Sequence, residues 1–262
     1  MANRIEMLKH GIRATIRYEI ARSLNLGRGA AFLVLALFPP AITAIICRLP
    51  GAPPTMIPIG VTSLVVCVLA NLVWSTSAVS GELEGKTWAY LAARPGGRIA
   101  SMIGKYIVSV GWTALVTLSA LTISIAVQAL LVPTGDELRL WLIFASCGLI
   151  ACFAYASIYT LLGTIFHRRA MVAAVVHTGV FELMIGWIPG IIQYATVRGP
   201  LVHLAVIGLV DKEVLEDPNF TLVFGEPNVI GHLISVVCLT IVALLASLWL
   251  IRTREYATTQ EV

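Results

Sequence analysis

Apolar residues in this chain gather into long uninterrupted runs instead of alternating with polar ones, and the runs lie at about residues 29–47, 57–80, 106–132, 140–166, 170–197 and 229–251. A run of about 20 residues crosses a hydrocarbon core as a helix with every backbone group satisfied internally. The pattern therefore predicts an all-α membrane protein with six transmembrane helices over residues 29–251. Before the first run, Ile5, Leu8, Ile12, Ile16 and Ile20 recur at helical spacing, with Arg4, Lys9, Arg13, Arg17 and Arg22 on or beside the other faces. Residues 1–28 read as an amphipathic helix in the membrane interface, its basic side toward anionic headgroups; a basic tail without fixed structure is the plainer alternative. Pro39-Pro40 and Pro189-Gly190 predict kinks or breaks in the first and fifth spans. Residues 201–210 are apolar but too short to span. They predict an interfacial or re-entrant helix within an outer segment at about 199–228, and residues 252–262 form a short polar tail.

Composition agrees with this pattern. The chain is 58% hydrophobic and 12% charged, where a soluble domain is roughly one-quarter charged. The first apolar run begins far from the start and ends without a small-residue cleavage pattern, so it is expected to stay as a span. Placing both termini in the cytoplasm puts 14 of the 18 lysines and arginines inside. Arg48, Arg139, Arg198 and Lys212 fall outside with most of the loop acids. The net charge of +4 then follows from topology, not from nucleic-acid binding. The five cysteines form no CxxC pair and read as small hydrophobes. No polar segment is large enough to fold as a nucleotide-hydrolysing domain, so energy for work would come from a partner or an ion gradient.

The second and third spans are separated by a charged cytoplasmic segment. Leu83, Thr87, Tyr90 and Leu91 share one face of a short amphipathic helix at about 82–93, which Arg94-Pro95-Gly96-Gly97 ends. Gly81-Glu82-Leu83-Glu84-Gly85-Lys86-Thr87 nearly spells a phosphate loop, but only three residues separate the glycines, two of them acidic, and an apolar span precedes it. Nucleotide binding is excluded there. The order Glu82, Glu84, Thr87, Leu91, Pro95, Arg98 and Gly104-Lys105 resembles the motif that follows the second span in membrane subunits of ABC transporters of the second permease class, ABC-2. Lys86 stands where that family usually has glycine, and Gly97 where it often has serine.

The resemblance covers essentially the whole chain and implies a permease subunit of an exporter, without an ATPase site of its own, in a plasma membrane of bacterial type. It implies that the helix at 82–93 is a coupling helix docking on a cytoplasmic ABC ATPase subunit, which carries the ATP and Mg. Glu82, Leu83, Glu84, Thr87, Tyr90, Leu91, Pro95, Arg98 and Lys105 are the docking residues under this reading, with a second permease subunit completing a homo- or heterodimer. A topology-setting connector is the simpler alternative for the same segment.

Inside the apolar runs, Glu182 is the one acid. It reads either as a substrate-path or gating residue, or as a hydrogen-bonded structural group near the outer end within approach of Arg198. Asn71 and Gln128 predict hydrogen bonds between helices. His177 lies five residues before Glu182, a poor spacing for a metal pair, and His203 and His232 are too scattered to form a site; no metal site is predicted. No HExxH or GxSxG is present. Two other function classes fit the same chain: a proton-coupled secondary carrier using Glu182, and a non-transporting scaffold that recruits a partner through the cytoplasmic loop.

Overall fold

The computed structural model describes residues 2–49, 56–77, 81–82, 96–185, 194–210 and 228–254. Among them every regular element is helical. The helices are α1 Ala2–Ser23, α2 Leu26–Ile46, α3 Met56–Trp74, α4 Gly97–Leu131, α5 Glu137–Ile165, α6 Ala170–His177, α7 Arg198–Leu209 and α8 Val229–Thr253, and α6 runs directly into a π-helical segment, Thr178–Met184. The docking residues Leu83, Glu84, Thr87, Tyr90, Leu91 and Pro95 lie outside the described residues, as do Pro189-Gly190, the acidic loop 211–227 and the tail 255–262.

Four helices, α2, α4, α5 and α8, are each long and apolar enough to cross a bilayer. Their outward faces are apolar as well: Leu33, Val34 and Leu37 on α2, and Val242, Leu245 and Trp249 on α8, are all more than half exposed. Continuous apolar surface of that kind has no stable place in water. The chain is membrane-embedded.

The chain turns from α1 into α2 at Leu24-Asn25, because the Asn25 side chain caps α2 by accepting from the Arg28 amide at 2.8 Å. Pro39 and Pro40 do not break α2, which runs helically through both. Each removes one rung of the hydrogen-bond ladder, and the Thr43 hydroxyl donates to the Pro39 carbonyl at 2.9 Å within the same stretch.

α4 is the hub, packing against α1, α2, α3, α5 and α8. Its 35 residues make a rod of about 52 Å at about 1.5 Å per residue, well beyond a hydrocarbon core of about 30 Å. The surplus is at its N-terminal end, where α1 lies along it. A Cβ at Gly104 would sit 2.8 Å from the Thr15 side chain and 3.3 Å from the Ile12 carbonyl oxygen, so the absent side chain is what lets the two backbones meet. Leu8, Gly11, Ile12, Thr15, Ile16 and Glu19 are the positions of α1 turned toward this contact, whereas Ile5 and Ile20 stay exposed.

Further contacts show which ends of the helices lie together. Just after α3, the Thr76 carbonyl oxygen approaches Gly163 near the end of α5, and Arg254 beyond α8 donates to the Thr164 and Ile165 carbonyls at 3.3 and 3.0 Å. The cation thus covers the C-terminal carbonyls of α5. Together with the α1–α4 contact, these place α1 and the C-terminal end of α8 at one end of the bundle. At the opposite end, Arg139 in the first turn of α5 donates to the Gly208 carbonyl of α7 at 3.0 Å.

Replacing Gly104 with valine is expected to overpack this seam at a cost of about 1–3 kcal/mol. In thermal unfolding of the purified chain the midpoint should fall, and limited proteolysis should release α1 before the bundle melts.

Candidate functional site

Two buried polar clusters stand out, one at each level of the bundle. The first is made of four charges. Lys105 of α4 donates to Glu82 Oε1 and lies 3.6 Å from Glu19 Oε1 of α1; Arg22 lies 3.6 Å from Glu19 and 3.7 Å from Glu82. Glu19, Glu82 and Lys105 are 7%, 6% and 5% exposed, while Arg22 reaches solvent. Burying a lone ion costs several kcal/mol, and their mutual pairing offsets that cost here. Of the sequence-predicted docking residues, the structure therefore brings Glu82 and Lys105 together. Arg98, half-buried at the start of α4, is seven residues before Lys105 and so on nearly the same face.

Glu19 and Arg22 were not legible as members of this cluster. The apolar periodicity of α1 assigns its buried face to lipid, yet that face meets α4. The signal was present: Glu19 continues the spacing Leu8, Ile12, Thr15/Ile16, placing one acid in line with residues that pack.

The second cluster is centred on Glu182, 2% exposed within the π-helical segment. Its carboxyl accepts from the Tyr155 hydroxyl at 3.0 Å, from the Val197 amide at 3.1 Å and from the Arg198 amide at 2.8 Å. Arg198 Nη1 also reaches the Glu182 carbonyl oxygen at 3.5 Å. The next amide, Gly199, donates to Thr196 Oγ1 at 3.1 Å, and Pro200 has no amide hydrogen. Every donor at the start of α7 is thus accounted for, as a helix start away from water requires.

Depth matters here. Tyr155 is ten residues before the end of α5, about 15 Å from it and about 27 Å from its start. Glu182 and the first turn of α7 therefore sit in the interior of the bundle, not near the outer end as the sequence suggests. From there α7 climbs about 18 Å to the Arg139 contact. A π turn joins residues five apart through its hydrogen bonds. It replaces the α-helical phasing over Thr178–Met184, on which Glu182 lies.

Asn71 behaves differently from its expected interhelical role. Its amide donates to the Cys67 carbonyl at 2.9 Å and accepts from Ser75 Oγ at 2.8 Å, both within α3 and its C-terminal turn. Gln128 is fully buried, and its side-chain amide has no hydrogen-bond partner among the described residues. Helix-to-helix bonds come instead from Ser109, which donates to the Trp74 carbonyl at 2.8 Å, and from Tyr106, which donates to Phe153 at 3.1 Å. The Cys67 and Cys152 sulfurs, both fully buried, meet at 3.4 Å across α3 and α5. His203 and His232 do come together, stacked at 4.8 Å, with Tyr194 stacked on His232 at 5.0 Å. Among the described residues no group of three or more His, Cys, Asp or Glu side chains converges as a metal site.

A cavity of about 420 Å³ borders the Glu182 cluster and extends along α3, α5 and α7. That volume lies in the range of small-molecule sites.

No model of a known protein family matches the chain. Among curated proteins none matches either.

Glu182→Ala is expected to strand the Val197 and Arg198 amides at about 1–3 kcal/mol each, whereas Tyr155→Phe, which leaves both amides paired, should cost about 1 kcal/mol. Equilibrium unfolding in mixed micelles gives the two costs, and hydrogen exchange at residues 197 and 198 should accelerate only in the alanine variant.

Proposed function

We propose that this chain is the permease subunit of an ABC exporter of the ABC-2 class, driven by a separate cytoplasmic ATPase that supplies ATP and Mg and docks on the segment 82–98. The observation that carries the reading is the pairing of Glu82 with Lys105 against Glu19 and Arg22. It ties the two flanks of the predicted docking segment to each other, to α1 and to the hub helix α4. Force applied to a loop held in this way reaches the bundle as a displacement of α1 and α4 together, instead of being lost in a slack linker.

Six spans complete the reading. In this reading α3 and the chain from Ala170 onward, whose described part rises to Glu182 in the bundle interior, supply the two crossings beyond the four long apolar helices. α7, with its start inside the bundle and its end beside Arg139, takes the place of the outer re-entrant helix. Basic residues gather at the end that holds α1 and Arg254, which supports a cytoplasmic assignment for that end. The second permease subunit would cover part of the apolar outer surface, and bilayer lipid the remainder. A proton-coupled carrier would need Glu182 to exchange protons with solvent during its cycle, and the three bonds that fix Glu182 under α7 favour a structural role instead.

Purification from the native membrane should bring down an ATPase with this chain. Ala89→Pro, which breaks the predicted docking helix, should remove the ATPase while leaving the chain inserted. An unchanged ATPase yield with Ala89→Pro, or none with the unmodified chain, would count against the proposal.

A further inference from the structure

The cavity beside Glu182 has a polar inner end and an apolar remainder. Tyr155, Thr178 and Glu182 meet at the inner end, while Leu64, Ala205 and Val206 are among the residues lining the rest. The hydroxyl protons at this end are all spent inside the protein. Tyr155 donates to Glu182, Thr178 donates to the Ala174 carbonyl at 2.9 Å, and Ser63, further along the wall, donates to the Ile59 carbonyl at 2.7 Å. Tyr159 points its own proton at Thr178, 2.6 Å away. Arg198 lines the cavity as well, its guanidinium engaged with the Glu182 carbonyl oxygen at 3.5 Å, and what the other polar side chains still offer is lone pairs, on three hydroxyl oxygens and a carboxyl group. A guest that matches them must bring its own donor, and beside a carboxyl the strongest such donor is an ammonium group.

The position of the mouth narrows the guest further. Val65, Leu69, Leu183 and Val202 line the cavity and are all more than one-third exposed. Val65 and Leu69 lie in the middle of α3, at a depth where the surroundings are hydrocarbon. The cavity thus opens sideways, to the bilayer core. Its polar end is also at bundle depth, beside Tyr155, far from where phospholipid headgroups lie. A phospholipid could send an acyl chain into such a space but could not bring a headgroup to Glu182.

From these features we infer that the cavity is a binding site for a small hydrophobic amine that enters from the bilayer core, its ammonium group received by Glu182, Tyr155 and Thr178 and its hydrocarbon body lying along α3 and α7. Binding is a property of this chain alone. That the bound amine is exported cargo rests on the permease reading, whereas the site does not.

The test uses the full chain in phosphatidylcholine nanodiscs without any ATPase, so its failure is separate from a failure of ATPase docking. A photoreactive alkylamine is crosslinked, and the labelled peptides are identified by mass spectrometry. Label should appear saturably on α3 and α7. Unlabelled dodecylamine should compete at about tenfold lower concentration than dodecanoate, the discrimination expected from one charge-assisted hydrogen bond. Ala205→Trp, which fills the apolar part, should reduce labelling by about tenfold. If that variant fails to insert, the comparison of amine with carboxylate on the unmodified chain decides. Equal competition by the two, labelling that never saturates, or a retained phospholipid that dodecylamine does not displace would each overturn the inference. So would crosslinking of Leu69→Cys to a second copy of the chain together with loss of labelling, since the mouth would then be a subunit contact.

Discussion

A lysine ammonium buried between two carboxylates holds one end of this bundle together. Lys105 sits on the part of α4 that outruns the bilayer, and it is balanced by Glu19 from α1 and Glu82 from the segment after α3. Three parts of the chain far apart in sequence therefore share one electrostatic account, in which each ion offsets the burial cost of the others. The close seam at Gly104 depends on the same register, because Gly104 and Lys105 are neighbours and Thr15 is one turn from Glu19. Slide α1 by a turn and both the steric fit and the ion pairing are lost together.

Deeper in the bundle the same rule is met with hydrogen bonds. A helix that starts inside an apolar bundle leaves its first amides without water, and Glu182, Thr196 and Pro200 deal with the donors in turn. The π turn that carries Glu182 sets the carboxyl against Tyr155 and the start of α7, and the cavity lies where α7 and α3 do not close upon each other. The two polar clusters differ in kind. One consists of full charges near the bundle end and ties a loop to the bundle; the other is a carboxyl embedded among hydroxyls and amides.

Much of the fold was legible because the hydrocarbon core selects for run length, and run length is visible in a sequence. The long helices, the separate α1 and the short α7 all follow from it. Partner choice was not legible. The face of α1 bearing Leu8, Ile12 and Ile16 is apolar whether it meets lipid or α4, and what distinguishes the two is Glu19 in line with that face and Gly104, whose missing side chain creates the approach. Glu182 was legible as exceptional, but its depth was not, because a π turn alters phasing and α7 begins inside the bundle. Asn71 was read as interhelical glue from its polarity, yet its side chain bonds to the Cys67 carbonyl and to Ser75, one turn before and one turn after it in its own chain segment. Cys67 with Cys152, and His203 with His232, are neighbours only through tertiary packing, which spacing cannot reveal.

The central claim is that Lys105, Glu19 and Glu82 form one mutually dependent buried ion cluster. Its direct measure is the unfolding free energy of Lys105→Met compared with that of the triple variant Lys105→Met/Glu19→Gln/Glu82→Gln, determined in the same micelles. Removing the lysine alone leaves Glu19 and Glu82 sharing only the partly exposed Arg22 among the cations of this cluster and should cost about 3–5 kcal/mol, whereas neutralising all three should be markedly milder. A single variant no less stable than the triple would contradict the claim.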